Sequence, residues 1–228
     1  MRRIFEDNFE EWNEEMIKKY GPSTLNYPNA IVRYIEEKRV KVLLKLLAPQ
    51  MNDVILEIGC GYGEILRNIH GGKLYGVDLS DTAVSKSRDV MKKRAVILKA
   101  NAESLPFPDQ SFTKVYCSEV LEHLLHPAKA LEEATRVLKK DGVLVVTIPN
   151  ESLIDRIKAS LVKFGLFGVF LKGRSLKMTD EWHLHSFNMS YLKKHLPNSL
   201  GVEAVRSIPF LLLPLRYVVK LQPRRAEV

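Results

Sequence analysis

The stretch Val54-Ile55-Leu56-Glu57-Ile58-Gly59-Cys60-Gly61-Tyr62-Gly63 constrains the fold more than any other part of the chain. A short apolar run rich in β-branched residues reads as a strand buried on both faces, as in parallel sheets. Three glycines at every second position follow it, where the backbone turns tightly and main-chain N–H groups lie open to a ligand. A helix is expected next, from Glu64 to Ile69. Strand, glycine turn and helix together make a nucleotide-type pocket at the carboxyl end of a strand. Dinucleotide sites favour G-x-G-x-x-G with a pyrophosphate on the helix N-terminus. Here the spacing is G-x-G-x-G behind Glu57, which suits a ligand without a pyrophosphate and with a cationic amine. A tight turn holding no ligand is the competing reading.

Downstream, Lys73-Leu74-Tyr75-Gly76-Val77-Asp78 reads as a second strand ending in an acid. An acid at that place accepts hydrogen bonds from both hydroxyls of a ribose. Asp81 is the expected cap of the next helix, which leaves Asp78 free for that task. Ala95–Leu98 and Val115–Ser118 read as further strands. A helix is expected over Pro127–Lys140, with Leu131, Ala134 and Leu138 on one face, ended by Asp141-Gly142. Val143–Pro149 is a fifth buried strand.

With these pieces in order, the chain resembles the class I S-adenosylmethionine-dependent methyltransferases, in the branch of quinone-biosynthesis C-methyltransferases and small-molecule methyltransferases. The matching motifs are Leu56–Gly63, Gly76-Val77-Asp78-Leu79-Ser80, Ala102-Glu103-Ser104-Leu105-Pro106-Phe107 and Arg136-Val137-Leu138-Lys139-Lys140-Asp141-Gly142. The resemblance implies an α/β fold: a Rossmann-like, doubly wound, mostly parallel sheet with helices on both faces, an N-terminal helical cap and a helical lid inserted after the fifth strand. It implies one methyltransferase domain over residues 1–228, with a cap at 1–50, a cofactor core at 51–150 and an acceptor-side part at 151–228. S-adenosylmethionine is the implied cofactor. Glu57, Gly59, Cys60, Gly61 and Gly63 would line its methionine end, and Asp78 would bind the ribose. Leu79, Asn101, Ala102 and Glu103 would surround the adenine. Ser118 and Glu119 would face the methionine portion and the acceptor. Thr113 departs from the family, which often has Asp there, and is expected to be structural.

Of 35 Lys and Arg and 27 Asp and Glu, residues 151–228 hold 13 and 6, so nearly all of the +8 net charge lies there. An acidic substrate, an anionic membrane surface or RNA accounts for such an excess, as does a solvated surface. Ser152–Phe164 has the spacing of a basic amphipathic helix, extended by apolar Gly165–Leu171, and Pro209–Lys220 is apolar again. These segments suit peripheral membrane contact or a lid over a hydrophobic acceptor. No apolar run is long enough to span a membrane. The start, Met1–Asp7, turns acidic at once and lacks the apolar region of a signal peptide, so a cytoplasmic location is expected. Cys60 and Cys117 follow neighbouring strands and are expected to be reduced and buried.

Residues 1–50 read as two helices broken at Gly21-Pro22-Ser23. Trp12, Met16 and Tyr20 share one face, and Ile31, Ile35, Val42-Leu43 and Leu46-Leu47 another; Tyr20, Tyr27 and Tyr34 are candidate contacts to donor or acceptor. Glu119, His123, His183 and His185 are the candidates for taking a proton from the acceptor. His183 and His185 flank Leu184, so an extended segment points both the same way, ahead of a helix capped by Ser190. A metal on this His-x-His pair is rejected because the sequence shows no third ligand. The expected function is methyl transfer to a small-molecule acceptor, apolar or quinone-like. RNA or protein acceptors are kept as alternatives, although no RNA-binding module and no Asn-Pro-Pro-Tyr-type motif is present. A non-catalytic module is disfavoured by intact Glu57, glycines and Asp78, and a nicotinamide enzyme by the glycine spacing.

Overall fold

The structure, a computed structural model, describes residues 4–21, 29–165 and 182–224. Its centre is a seven-stranded sheet in the order β3-β2-β1-β4-β5-β7-β6. The strands are β1 (Val54–Ile58), β2 (Lys73–Asp78), β3 (Ala95–Lys99), β4 (Phe112–Ser118), β5 (Leu138–Pro149), β6 (Leu200–Phe210) and β7 (Leu213–Pro223). The first five run parallel, and β7 enters antiparallel between β5 and β6. The order reverses between β1 and β4, the point at which open α/β sheets hold ligands beyond the strand ends.

Helices α1 (Phe9–Tyr20), α2 (Ala30–Leu47), α3 (Asp81–Met91), α4 (Pro127–Val137), α5 (Glu151–Lys163) and α6 (Met189–His195) accompany the sheet. Alternation along each strand divides the core in two. Leu56 and Ile58 of β1 and Leu144 and Val146 of β5 meet Trp12 and Met16 of α1, Leu131 and Ala134 of α4 and Leu192 of α6. Ile55 and the intervening Val143 and Val145 meet Leu43 and Leu47 of α2 and Val84 and Met91 of α3 on the opposite face. The continuous apolar runs of β1 and β5 are what burial on both faces demands.

Local expectations are corrected in several places. The helix expected at Glu64–Ile69 is one 3-10 turn, Leu66–Asn68. Gly71 and Gly72, with φ 91° and 75°, bring the chain straight back into β2. The helix expected to reach Lys140 ends at Val137, because Leu138 already pairs with Phe112 of β4. Ser80, not Asp81, caps α3 by accepting from Ala83 N–H at 3.1 Å. Asn188, not Ser190, caps α6, accepting from Tyr191 N–H at 2.9 Å. In α2, Ile31 is exposed while Leu43 and Leu47 are fully buried. Pro209–Lys220 forms the end of the β6–β7 hairpin. Thr113 ties two strands: its hydroxyl donates to Asp53 Oδ1 at 2.7 Å and accepts from Val54 N–H at 3.0 Å. Tyr27 and the apolar extension at 166–171 lie outside the described residues.

Candidate active site

The ends of β1, β2 and β4 open into a cleft walled by α1, α2 and the segment around Trp182. Gly59, at φ 70°, begins the turn after β1, and a Cβ there would lie 2.3 Å from Val120 Cγ2. The chain after β4 therefore packs directly onto the glycine backbone, which only glycine permits. Asp78 closes the other side of the turn. Its carboxylate accepts Gly61 N–H at 2.8 Å and Ser80 N–H at 3.0 Å. Burial pushes its pKa up, and these backbone donors oppose the rise. Glu57 is 2% exposed, burial pushes its carboxyl well above the ordinary range, and Oε2 has no hydrogen-bond partner.

Of the residues expected at the cofactor, Glu57, Gly59, Cys60, Gly61, Asp78 and Leu79 line this cleft, as do Asn101, Ala102, Ser118 and Glu119. Gly63 and Glu103 are not among its lining residues. A Cβ on Gly63 would lie 2.9 Å from Ser87 Oγ, so this glycine serves the approach of α3 instead. Glu103 turns its carboxylate to His126 N–H, 2.9 Å away at the start of α4. Cys60 and Cys117 are both buried and reduced.

The floor of the cleft holds charged groups that the motifs did not reveal. Glu36 and Arg39 lie on the buried face of α2, at 3% and 0% exposure. Arg39 Nε donates to Glu36 Oε2 at 2.9 Å, and Arg216 of β7 pairs with Glu36 and with Glu119, each at 2.9 Å. Arg39 also donates to Ser118 Oγ and, at 3.3 Å, to Thr147 Oγ1, which in turn donates to Glu119 Oε1 at 3.1 Å. Glu119 adopts φ 55°, a left-handed conformation unusual for a side-chain-bearing residue, and its N–H donates to Thr147 O. Two charges three residues apart inside the apolar stripe of α2 were the visible sign of this network.

At the far end, His123 stacks on Trp182 with ring centroids 4.6 Å apart, and Trp182 stacks in turn on Tyr20. His123 Nδ1 lies 3.1 Å from Trp182 O, and Leu184 N–H donates to Glu122 O at 2.9 Å, which sews this segment to the chain after β4. His183 meets His123 edge-on at 4.8 Å and bonds through Nδ1 to Glu151. Burial, followed by the neighbouring His183, drives the His123 pKa down to about 3, so its ring is neutral and a weak proton acceptor. Glu122 is 1% exposed, and burial, then the charge of Glu119, raises its pKa well above normal. Glu119, His123 and His183 line the cleft. His185 does not: it bonds to Leu124 O at 2.9 Å and to the Tyr191 hydroxyl at 3.1 Å, so the two histidines part company. Tyr34 is exposed, away from the cleft.

Among the described residues, seven acidic side chains and three basic ones, Arg39, Lys158 and Arg216, line the cleft. Among the described residues, no helix is long and apolar enough to cross a membrane.

Residues 56–146 match the family model of the methyltransferase domain. An uncharacterized protein of Methanocaldococcus jannaschii is 29% identical over 188 residues, covering 81% of this chain and 75% of that one. A "probable S-adenosylmethionine-dependent methyltransferase" of Mycobacterium tuberculosis is 36% identical over 116 residues, but these span only 50% of this chain and 42% of that one. The solved N-methyltransferase NodS of Bradyrhizobium japonicum, in complex with S-adenosyl-L-homocysteine, shares the fold at TM-score 0.68 and 16% identity over 96% of this chain and 100% of that one. Over residues 56–146 the chain is thus similar to the methyltransferase domain of S-adenosylmethionine-dependent methyltransferases, and it shares its fold with a methyltransferase solved with S-adenosyl-L-homocysteine.

Proposed function

We propose that the chain transfers the sulfonium methyl group to a small-molecule acceptor held at the His123–His183–Trp182 end of the cleft that also receives the cofactor. The observation that carries this reading is the continuity of the cleft: Gly59, Gly61 and Asp78 at one end and His123, Trp182 and His183 at the other line one space. In this reading Glu57, with one carboxyl oxygen unpartnered, takes the methionine ammonium. Asp78 takes the ribose hydroxyls, Leu79, Asn101 and Ala102 flank the adenine, and Ser118 with Glu119 marks the boundary to the acceptor. The acidic excess suits a cationic sulfonium and disfavours a polyanionic acceptor such as RNA. Because the sulfonium is intrinsically reactive, alignment of the acceptor and exclusion of water supply most of the rate. The stacked faces of Trp182 and His123 favour a flat, partly apolar acceptor, as a quinone-like ring would be. Glu119 stays ion-paired with Arg216, which leaves His123 and His183 to meet the acceptor's nucleophilic atom.

Calorimetry with S-adenosylmethionine, S-adenosylhomocysteine and NAD tests this cofactor assignment. Micromolar binding of the two sulfur ligands, none of NAD, and an affinity about 100-fold weaker in Asp78→Ala are expected, since the ribose bonds are charge-assisted. Equal binding by Asp78→Ala would remove the ribose assignment.

We also infer that the tip of the β6–β7 hairpin makes peripheral membrane contact. Leu211 and Leu212 are 81% and 95% exposed there, and Lys38 sits 4.6 Å over the Phe210 ring. An exposed apolar tip beside a cation is what an anionic lipid surface accepts.

A further inference from the structure

We propose that Glu122, His123 and His183 bind one divalent cation of the zinc type at the acceptor end of the cleft. The sequence offered His183 and His185 without a third ligand. The fold replaces His185 with His123 and adds Glu122, and one ligand atom from each of the three lies within 4.8 Å of the others. Ligand atoms around a tetrahedral cation at about 2.0–2.2 Å stand about 3.4 Å apart, so binding draws these side chains together.

The two imidazoles are oriented as ligands. Trp182 O can only accept, so His123 Nδ1 carries the hydrogen and Nε2 of the neutral ring carries the lone pair. His183 Nδ1 faces the Glu151 carboxylate, whose second oxygen accepts Phe187 N–H at 3.1 Å. Its Nε2 is therefore also the nitrogen left for a ligand bond. A ligating histidine whose other nitrogen is held by a carbonyl or a carboxylate is the usual outer arrangement of a metal site.

Glu122 supplies the independent sign. Its carboxyl is 99% withdrawn from solvent by its 1% exposure, lines the cleft, and leaves Oε2 without a hydrogen-bond partner. Buried carboxyl oxygens are rarely left so, because the lost solvation is costly unless a partner or cation replaces it. Two imidazoles and one carboxylate are a donor set suited to zinc and its neighbours, and three protein ligands leave positions open.

Those open positions assign a role, which rests on the methyl-transfer reading although the site itself does not. A hydroxyl oxygen of the acceptor bound to the cation loses its proton to water. The oxygen then attacks the sulfonium methyl: an O–CH3 bond forms, the S–CH3 bond breaks, and S-adenosylhomocysteine leaves as the neutral thioether. The acceptor class is thus a hydroxylated small molecule.

The test is Zn2+ titration of the chelator-treated full chain by calorimetry, with Co2+ absorption as a second readout. One Zn2+ per chain is expected. Binding should weaken about 100-fold or more in Glu122→Gln and His183→Ala, about tenfold in Glu151→Gln, and not at all in His126→Gln, a half-exposed surface histidine. Absence of binding, or equal binding by the His183→Ala chain, overturns the site. Should Glu122→Gln lose cooperative melting, Co2+-induced paramagnetic broadening of the His123 and His183 ring protons in the unaltered chain decides; no broadening there also overturns it. S-adenosylhomocysteine binding without Zn2+ binding sinks the metal site and leaves the methyltransferase reading intact. Zn2+ binding without S-adenosylhomocysteine binding does the opposite.

Discussion

Gly59 and Val120 show how a single residue sets the site. The Val120 methyl groups occupy the space a Gly59 Cβ would need, and φ 70° adds strain for any side chain. Gly59→Ala is expected to cost about 2–4 kcal/mol in urea unfolding, combining overpacking with left-handed strain. Val120→Ala in the same chain should recover part of that loss, since it removes the clash and not the strain. Arg39 is a second such residue. With 0% exposure and Glu36 as its carboxylate partner, Arg39→Met would leave excess buried negative charge beside Glu119 and lower stability by about 3 kcal/mol. Recovery of full stability by Arg39→Met would show that Arg216 alone neutralises both acids. The glycine was legible from spacing alone. The arginine was visible only as a charge out of place on an apolar helical stripe, because its partners Ser118 and Thr147 come from β4 and β5, far along the chain.

At the scale of elements, α1 closes one side of the cleft through Phe9, Asn13 and Ile17 and is fastened by Glu14. The Glu14 carboxylate accepts from Ser80 Oγ at 2.5 Å and from Thr82 Oγ1 at the start of α3. Burial acts to raise its pKa, but the two hydroxyls and Lys18 outweigh it and hold the value at about 2. A folded-state pKa below the unfolded one makes the contact stabilising above about pH 4.5, and the contribution fades as pH falls toward 2. Hydrogen exchange in α1 should therefore rise over that window ahead of exchange in β1 and β4. Glu14→Gln should raise α1 exchange at neutral pH and flatten the acid response. The element between β1 and β2 teaches a different lesson. Its residues have helical character, yet Gly71 and Gly72 bring the chain back after one 3-10 turn. Chain reversal outweighs local propensity when so few residues must connect two parallel strands.

For the whole molecule, the sheet order is what gathers the site. The glycine turn follows β1, Asp78 ends β2, Glu119 and His123 follow β4, and His183 returns some 60 residues later against the same edge. The β6–β7 hairpin then places Arg216 beneath the cleft while its tip projects Leu211 and Leu212 outward. Leu212→Asp should change unfolding free energy by less than about 0.5 kcal/mol, since the side chain packs on nothing. The same change should abolish sedimentation with anionic vesicles; unchanged sedimentation would remove the tip from any membrane contact.

The sequence by itself determined the parallel core and the glycine turn with its two flanking acids, because each is a local pattern: β-branched runs, glycine at positions of positive φ, an acid at a strand end; the cofactor class followed from the family resemblance that those motifs carry. It also carried Thr113 correctly as a structural departure, since the strand end must be satisfied by some hydrogen-bonding side chain there. The tertiary structure alone decided which histidines share the cleft, that Gly63 and Glu103 turn away from its lining, and that Glu36, Arg39, Arg216, Glu122 and Glu151 join it. Those choices depend on residues far apart in the chain meeting at one sheet edge, where burial rewards only side chains that find partners or leave a deliberate place for one.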